Sequence, residues 1–461
     1  VQAARIVDAR AEPPLPTMVK RLPQSTTPAS DIHRFWEQTG NFYARGLGND
    51  NLADPFIAHG AVPAATTLFR DLSGIRFEHP EWNAENCTAC GTCYTVCPDT
   101  AIPGLVNEIG QILDTAVERV SKAGDDATHL PRAVRQLERH LRQRFNEADE
   151  SDPVDILLRE AVAATLQDPT LAGEDHTTLS SELERLLEEL DGFGLALSRA
   201  YYTLHEQRAP GEGGLLSITI NPLTCKGCME CVAVCDDDAL RPVPQTDESL
   251  ARLRRNWDFW LDLPTTPQKY LRIDDLEQGI GALETLLLDK HNYLALSSGD
   301  GACLGCSEKT VLHLFVATTE ALMQPRVVRH IAYLEALIER LERHLQLKLV
   351  EGIGVDDTEA IASVIREHRE QDLTLTDITR SLQAAHGVQA IDPQWLTRVS
   401  DLLASLKDLL WRYRSGTHGR GRANMGILNA TGCSSVWGST YPFNPYPFPW
   451  ANHLFQDSAS M

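Results

Sequence analysis

Apolar residues recur at intervals of three and four along three stretches of the chain. Leu130, Val134, Leu137 and Leu141 form one stripe. Leu183, Leu186, Leu187 and Leu190 form a second, and Ile331, Leu334, Leu337, Ile338, Leu341 and Leu345 a third. Such spacing puts each set on one face of an α-helix. Asp152-Pro153 has the chemistry of an N-cap followed by proline at the first helical position, and Ser181 with Glu184 that of a capping box. Helices are also predicted over Asp247 to Leu263 and over Leu276 to Leu288, and a strand over Leu215 to Ile220. Residues 1–30, rich in Pro, Ala and Thr, read as an irregular strap. Asp31 to Gly48, with Phe35, Trp36, Phe42 and Tyr43, suggests a short helix and a turn. Pro55, Pro63 and Pro80 mark Asp54 to Glu85 as loop-like.

A chain of 461 residues has room for two to four domains at roughly 100–200 residues each. Its 43% hydrophobic and 23% charged residues supply an ordinary globular core. The net charge of −22 argues against nucleic acid as a partner and for solubility. No apolar run approaches the roughly 18 residues of a membrane span. Val1-Gln-Ala-Ala-Arg-Ile-Val7 is too short and polar for a signal peptide. The absence of an initial Met leads us to expect a longer natural chain.

All 11 cysteines fall in three groups. An odd number at C-x2-C spacing points to metal in a reducing compartment rather than to disulfides, and so to a cytoplasmic location. Cys87, Cys90, Cys93 and Cys97 follow C-x2-C-x2-C-x3-C, as do Cys225, Cys228, Cys231 and Cys235. That run is the bacterial ferredoxin ligand set for [4Fe–4S] clusters, in which the fourth cysteine ligates the other cluster. On that pattern one cluster takes Cys87, Cys90, Cys93 and Cys235, and the other Cys225, Cys228, Cys231 and Cys97. Structural zinc, the alternative, more often uses two C-x2-C pairs or Cys/His mixtures. Pro98 follows the first run and Asp236 the second; both suit a turn.

Cys303, Cys306 and Cys433 offer three further ligands, and their spacing leaves the metal open. Gly299-Asp300-Gly301 could be a metal–diphosphate motif, but the Asn such motifs need is missing. A tight turn before the ligands suits the two glycines better. Arg420 and Arg422 could hold an anion or be linker charge. His330 and His344 read as surface or packing residues. The aromatic run Trp437, Tyr441, Phe443, Tyr446, Phe448 and Trp450 suits packing around a cluster.

Taken in order, the two ferredoxin-like runs, Gly301-Ala-Cys303-Leu-Gly-Cys306-Ser-Glu308, Asn429-Ala-Thr-Gly-Cys433-Ser-Ser-Val-Trp-Gly438 and Trp450-Ala-Asn-His-Leu-Phe-Gln-Asp457 resemble the thiamine-diphosphate-dependent 2-oxoacid:acceptor oxidoreductases of the pyruvate:ferredoxin type. Ala61-Val-Pro-Ala-Ala-Thr66 and Asn256-Trp-Asp-Phe-Trp-Leu-Asp-Leu-Pro264 are similar to segments flanking their ferredoxin domain. The resemblance implies a third [4Fe–4S] cluster on Cys303, Cys306 and Cys433, with its fourth ligand outside this chain. It also implies cofactor-binding positions at Glu308, Thr431 and Gly432, beside thiamine diphosphate and Mg2+. The family's own Gly-Asp-Gly segment would lie beyond Met461.

The expected fold class is α+β. A linker or strap over 1–80 leads to a two-cluster ferredoxin-like domain over 81–245, with a helical insertion at 99–214. A connector over 246–296 follows. The N-terminal part of an α/β thiamine-diphosphate domain then spans 297–461, with a second helical insertion at 311–411. The two insertions depart from the family pattern. The resemblance implies oxidative decarboxylation of a 2-oxoacid with CoA, and electrons passed through three clusters to ferredoxin or flavodoxin. The partners implied are the enzyme's remaining domains or subunits and a second copy in a homodimer. The alternative is an iron–sulfur electron-transfer subunit without its own catalytic site.

Overall fold

One antiparallel strand pair nested inside another organises the middle of the chain. β1 (Glu78–Trp82), β2 (Gly104–Glu108), β3 (Gly214–Ile218) and β4 (Leu240–Pro244) pair as β1 with β4 and β2 with β3. Glu78 faces Pro244 and Trp82 faces Leu240; Gly104 faces Ile218 and Glu108 faces Gly214. A third pair, β5 (Ile427–Asn429) and β6 (Trp450–Asn452), is parallel. A computed structural model describes residues 15–22, 31–52, 54–58, 63–122, 127–171, 175–271, 280–296, 303–353, 392–416, 419, 421–423, 425–429, 432–438, 441–448 and 450–452. It divides into two units, residues 1–321 with 423–461 and residues 322–422. Helices dominate both. No described helix is long and apolar enough to cross a membrane.

The helices that matter below are α1 (Thr92–Val96), α2 (Ile109–Lys122), α3 (Leu130–Glu147), α4 (Val154–Leu166), α5 (His176–Leu190), α6 (Glu230–Ala233), α7 (Asp247–Asp262), α8 (Ser307–Ile353), α9 (Pro393–Arg414) and α10 (Cys433–Gly438). Helices α2 to α5 fill the connection between β2 and β3. The first helical segment was expected from residue 99, but 104–108 form a strand, and α2 starts only at Ile109. On α3 the expected stripe is buried and is extended by Ala133 and Phe145. Each such Leu or Phe contributes roughly 1.5–3 kcal/mol relative to an exposed one. Trp257, Phe259 and Trp260 of α7 join the same core, so the connector packs against the insertion. Lys290 seals the end of α7. Its ammonium donates to the carbonyls of Trp260 (2.6 Å), Leu261 (3.2 Å) and Leu263 and lies 4.4 Å from the Trp260 ring centroid.

Two caps fall elsewhere than expected. Pro153, not Asp152, stands at the N-cap of α4, and the Asp152 carboxylate accepts from Asp149 N–H instead. Ser181 lies inside α5, whose N-cap is Asp175. On α5 the buried face includes Glu182, only 1% exposed. Its carboxylate accepts the N–H groups of Thr128 (2.9 Å), His129 (3.0 Å) and Leu130 (2.7 Å). These donors sit at the start of α3, whose own N-cap, His129, makes no side-chain cap. A carboxylate from another helix thus satisfies donors that α3 leaves open, at the positive end of its dipole.

The strap is tied to the C-terminal segment. Ala65 N–H donates to the Tyr446 carbonyl (2.8 Å) and Thr66 Oγ1 to the Pro442 carbonyl (2.7 Å). Trp437, Tyr446 and Phe448 are buried in the core that also holds the ferredoxin-type cysteines. In the 322–422 unit, the stripe from Ile331 to Leu345 is buried or half-buried. Glu342 pairs with Lys407 at 2.7 Å, His330 lies 4.6 Å from the Tyr413 ring and His344 5.9 Å from Trp395, so α8 and α9 run antiparallel. Arg422 donates to the Tyr413 hydroxyl. Gly299-Asp300-Gly301, Arg420 and Thr431 lie outside the described residues, as does the 276–279 part of the helix expected over Leu276 to Leu288.

Glu182→Ala strips the acceptor from three donors at the start of α3. We expect a loss of about 2 kcal/mol, read as a lower urea midpoint, with a smaller loss for Glu182→Gln. An unchanged midpoint would mean that these donors do not need the carboxylate.

Candidate metal centre

The nested pairing decides which cysteines meet. The outer pair continues past its strands through Asn83 N–H to the Ala239 carbonyl (2.7 Å), so the residues before Cys87 lie beside those after Cys235. The inner pair continues through Thr219 N–H to Pro103 (3.1 Å) and Asn221 N–H to Ala101 (2.7 Å), which places the segment after Cys97 beside the one before Cys225. Each run therefore has its last cysteine next to the other run's first.

The two runs share one backbone path. Ala89 and Gly227, both two residues after the first cysteine, have φ of 67° and 71°. Gly91 and Met229, just after the second cysteine, have 79° and 61°. Thr100 and Asp238, three residues after the last, have 48° and 52°. Positive φ is uncommon outside glycine, and its recurrence at three matched positions marks a loop held by its surroundings. At Gly227 a Cβ would come within 2.6 Å of the Glu78 carbonyl oxygen. The replacement of Pro98 by Asp236 leaves this path unchanged.

Thiol neighbours follow the same crossing. Burial pushes Cys93 up, and Cys87, Cys90 and Cys235 add to the shift. Cys231 is also raised by burial, then by Cys97, Cys225, Cys93 and Cys228. Burial takes Cys87 to about 11, Cys97 to about 12 and Cys225 to about 11. Backbone N–H groups oppose this: those of Ala89 and Gly227, again matched positions, point at Cys87 and Cys225, and Ala101 N–H reaches the Cys97 sulfur at 3.3 Å. Without metal these buried thiols hold their protons, and binding iron must release them. Eight cysteines in two mutually acting sets, with N–H groups aimed at sulfur, fit [4Fe–4S] clusters. Among the described residues, no His, Cys, Asp or Glu group of three or more is drawn in tightly enough for a single metal ion.

Charged side chains beside the ligands are buried with them. The Arg76 guanidinium donates to the carbonyls of Pro222 (2.7 Å) and Cys225 (2.5 Å) and to Gln245 (2.6 Å). The Asp99 carboxylate binds the ammonium groups of Lys309 (2.5 Å) and Lys226 (3.0 Å). Burial lowers Lys226 to about 8. Lys309, with the shorter contact, is raised by Asp99 in spite of burial. Tyr293 is fully buried where both sets act on it, through Cys97, Cys93 and Cys231. Its hydroxyl accepts Ile102 N–H (2.8 Å), and its carbonyl accepts the Nε2–H of His313 (2.7 Å).

Cys306 immediately precedes α8 and Cys433 is the first residue of α10; Cys303 and Cys433 are exposed. The start of α8 docks on the ferredoxin-like part through Lys309 and through Thr310 Oγ1 to the Val96 carbonyl (3.0 Å). Gly305, at φ +63°, leaves room for Glu230, whose carboxylate oxygen would lie 2.7 Å from a Cβ there. Glu308, in the first turn of α8, faces a hollow of about 540 Å³ shared with Ser307, Val311, Leu428, Ser434 and Tyr446. Gly432 is exposed. Glu308 is the one carboxylate among the described residues that line the hollow, and no group of three or more His, Cys, Asp or Glu that could hold a metal ion is found among the described residues. Sequence reasoning missed Arg76, Asp99, Lys226, Tyr293, Lys309 and His313. A usable signal existed for three of them, since Asp99, Lys226 and Lys309 each follow a ligand cysteine within three residues.

Two matched cysteine loops on nested strand pairs define an iron–sulfur electron-transfer domain of ferredoxin type. Residues 79–102, which contain the first run, match the family model described as "4Fe-4S binding domain". Over 285 residues the chain is 21% identical to a Synechocystis sp. protein described as "Putative pyruvate-flavodoxin oxidoreductase". The match covers 60% of this chain and 16% of that protein, so the chain spans a small part of its relative's length. The first run thus lies in a 4Fe-4S binding domain, and the chain is distantly similar to part of a much longer protein.

His313 gives this region a pH signature. Burial pushes its imidazole down to about 4, below the ordinary 6.5. Between those values the unfolded chain binds a proton that the folded one refuses, so the contribution is full above pH 6.5 and is lost as pH falls towards 4. The loss is about 3 kcal/mol. His313→Gln should flatten the stability–pH curve by that amount between pH 7 and 4, measured by urea unfolding. An equally steep curve in the variant would rule out this source.

Proposed function

We propose that this chain is the electron-relay portion of a 2-oxoacid:acceptor oxidoreductase of the pyruvate type. One centre is held by Cys87, Cys90, Cys93 and Cys235, and another by Cys225, Cys228, Cys231 and Cys97. A third is held by Cys303, Cys306 and Cys433 with a ligand from elsewhere in the enzyme. The observation that carries this reading is that Cys235 acts on Cys93 and Cys97 on Cys231, although each pair is far apart in sequence. When bound, [4Fe–4S] clusters exchange single electrons at potentials set by their surroundings.

The residues here hold and insulate those centres. Burial of the thiols excludes water. The N–H groups of Ala89, Ala101 and Gly227 offset charge on sulfur, and Arg76 sets a fixed cation against Cys225. The docking of α8 on Asp99 and Val96 keeps Cys306 beside the second run, as a relay requires. Decarboxylation of the 2-oxoacid, thiamine diphosphate with Mg2+, and the CoA step belong to the remaining domains or subunits, and the electrons leave to a ferredoxin or flavodoxin in the cytoplasm. A second reading is an electron-transfer subunit with no carbon chemistry. The sparse ionisable lining around Glu308 favours it for this chain taken alone.

Iron and thiamine content of the intact protein separates the two. About twelve iron atoms per chain with bound thiamine supports the first; about eight and no thiamine supports the second. Stoichiometric zinc with no visible absorption overturns both. The ligand assignment has its own test in Cys97→Ser. This change should alter the electron paramagnetic resonance signal of the Cys225/Cys228/Cys231 centre and spare the Cys87/Cys90/Cys93 one. The opposite result would show that each run serves its own cluster.

A further inference from the structure

Near the end of the helical insertion two adjacent tyrosines enter different cores. Residues Arg199–Thr203 form one turn of π-helix: the Ser198 carbonyl accepts Tyr202 N–H (2.8 Å) and Thr203 N–H (3.4 Å), and Leu204 N–H donates to the Arg199 carbonyl. Such turns are rare and are frequent at functional sites. Tyr202 enters the core of the insertion, where its hydroxyl donates to Asn146 Oδ1 at 3.0 Å. Tyr201 enters the core that holds the ferredoxin-type cysteines. It is 4% exposed, and its hydroxyl has no hydrogen-bond partner among the described residues. A buried hydroxyl left so costs about 1–3 kcal/mol, and phenylalanine would fill the same space without that cost. Cys87 and Cys235 pack against the same core, and after burial itself Cys87 and Glu284 are the groups that act on Tyr201. Tyr94, 1% exposed, lies close to Tyr201, and its hydroxyl is likewise without a partner among the described residues. That hydroxyl lies over the ligand loop: a Cβ on Gly91, the residue after Cys90, would come within 2.5 Å of it. Trp82 Nε1–H is turned towards the Cys87 sulfur from β1.

We propose that Tyr201, with Tyr94 beside it, donates its hydroxyl hydrogen to sulfur at the Cys87/Cys90/Cys93/Cys235 centre and so raises the reduction potential of that centre. The inference rests on the ligand assignment above. A neutral phenol is a donor at ordinary pH, and thiolate or sulfide sulfur is the acceptor that a cluster brings to this core. Reducing the centre by one electron, supplied by an electrode or dithionite, adds negative charge to its sulfurs. A hydrogen bond to sulfur therefore stabilises the reduced form more than the oxidised one. Tyr201 is supplied by the insertion, so the segment that interrupts the two cysteine runs also tunes the centre they build.

The test is a potentiometric titration of the intact, cluster-loaded protein, followed by electron paramagnetic resonance. Iron content and visible spectrum of the unmodified protein come first. If it holds no [4Fe–4S] clusters, the assignment and the inference fail together. If it does, Tyr201→Phe should make the centre harder to reduce by about fivefold in the reduced-to-oxidised ratio, the equivalent of one hydrogen bond. Tyr94→Phe should shift it in the same direction. The Cys225/Cys228/Cys231/Cys97 centre serves as internal reference and should move less. Tyr202→Phe, which gives up the bond to Asn146, should lower the urea midpoint and leave the potential in place. In a Glu284→Gln background Tyr201→Phe should keep its effect, since the hydroxyl acts on sulfur and not through the carboxylate. A Tyr201→Phe shift below roughly twofold, an equal shift in Tyr202→Phe, disappearance of the shift in the Glu284→Gln background, or loss of the centre in Tyr201→Phe would overturn the inference while leaving the cluster assignment standing.

Discussion

On the ligand assignment proposed above, four thiolates converge on each cubane, three from one run and the fourth from the other. The nested strand pairing is the answer this chain gives to that constraint. β1 with β4 and β2 with β3 bring the start of each run beside the end of the other, and the matched positive φ values at Ala89/Gly227, Gly91/Met229 and Thr100/Asp238 turn both runs through the same path. Everything else is attached to that frame. The helices α2 to α5 hang from the turn of the inner pair, where a long connection costs only a slowly growing closure entropy. The first turn of α8 docks on it through Lys309 and Thr310.

The insertion shares one apolar cluster with the strands that carry it and with the connector. Its stripes bury against one another, while Trp257, Phe259 and Trp260 of α7 lend it aromatic area from outside. Arg119 of α2 binds Glu189 of α5 and Asp262 of α7 at 2.7 and 2.6 Å. Arg21 of the strap reaches the same Asp262 and also Asp258. One small ionic cluster therefore links strap, insertion and connector. Exposed pairs of this kind contribute little singly; shared carboxylates make the geometry, not the energy, the useful product.

The helical stripes were legible because a period of 3.6 survives any tertiary context, and the cysteine spacing because ligand geometry tolerates little change. Of the described strands, β3 was expected, over Leu215 to Ile220, and the others were not. β1 is Glu78-His-Pro-Glu-Trp82 and β4 is Leu240-Arg-Pro-Val-Pro244, with Pro80 facing Pro242. Proline is at home in a two-stranded ribbon, where an unpaired edge needs no donor, but in sequence it reads as loop. Ser181 misled for a different reason: its capping-box pattern sits inside α5, because Asp175 begins the helix a turn and a half earlier. Glu182 was invisible since a carboxylate on an apolar face finds its reason only in another helix's open donors. Around Cys303, Cys306 and Cys433 the motif was legible; of the positions that the resemblance implies for a cofactor, Glu308 lines the hollow, Gly432 is exposed and Thr431 lies outside the described residues.

The buried charges beside the ligands follow from the same frame. A ligand loop must keep its sulfurs dry, so any charge nearby must be buried and paired, or be excluded. This chain pairs it. Arg76 spends its donors on the Pro222 and Cys225 carbonyls, which also pins the loop that Gly227 must round without a Cβ. Asp99 and Lys226 sit on adjoining segments because the inner strand pair sets Ala101 beside Asn221. Lys309 can then reach Asp99 only if α8 starts where it does, one turn from Cys306. The position of Cys306 is thus tied to a charge whose place follows from the inner strand pair.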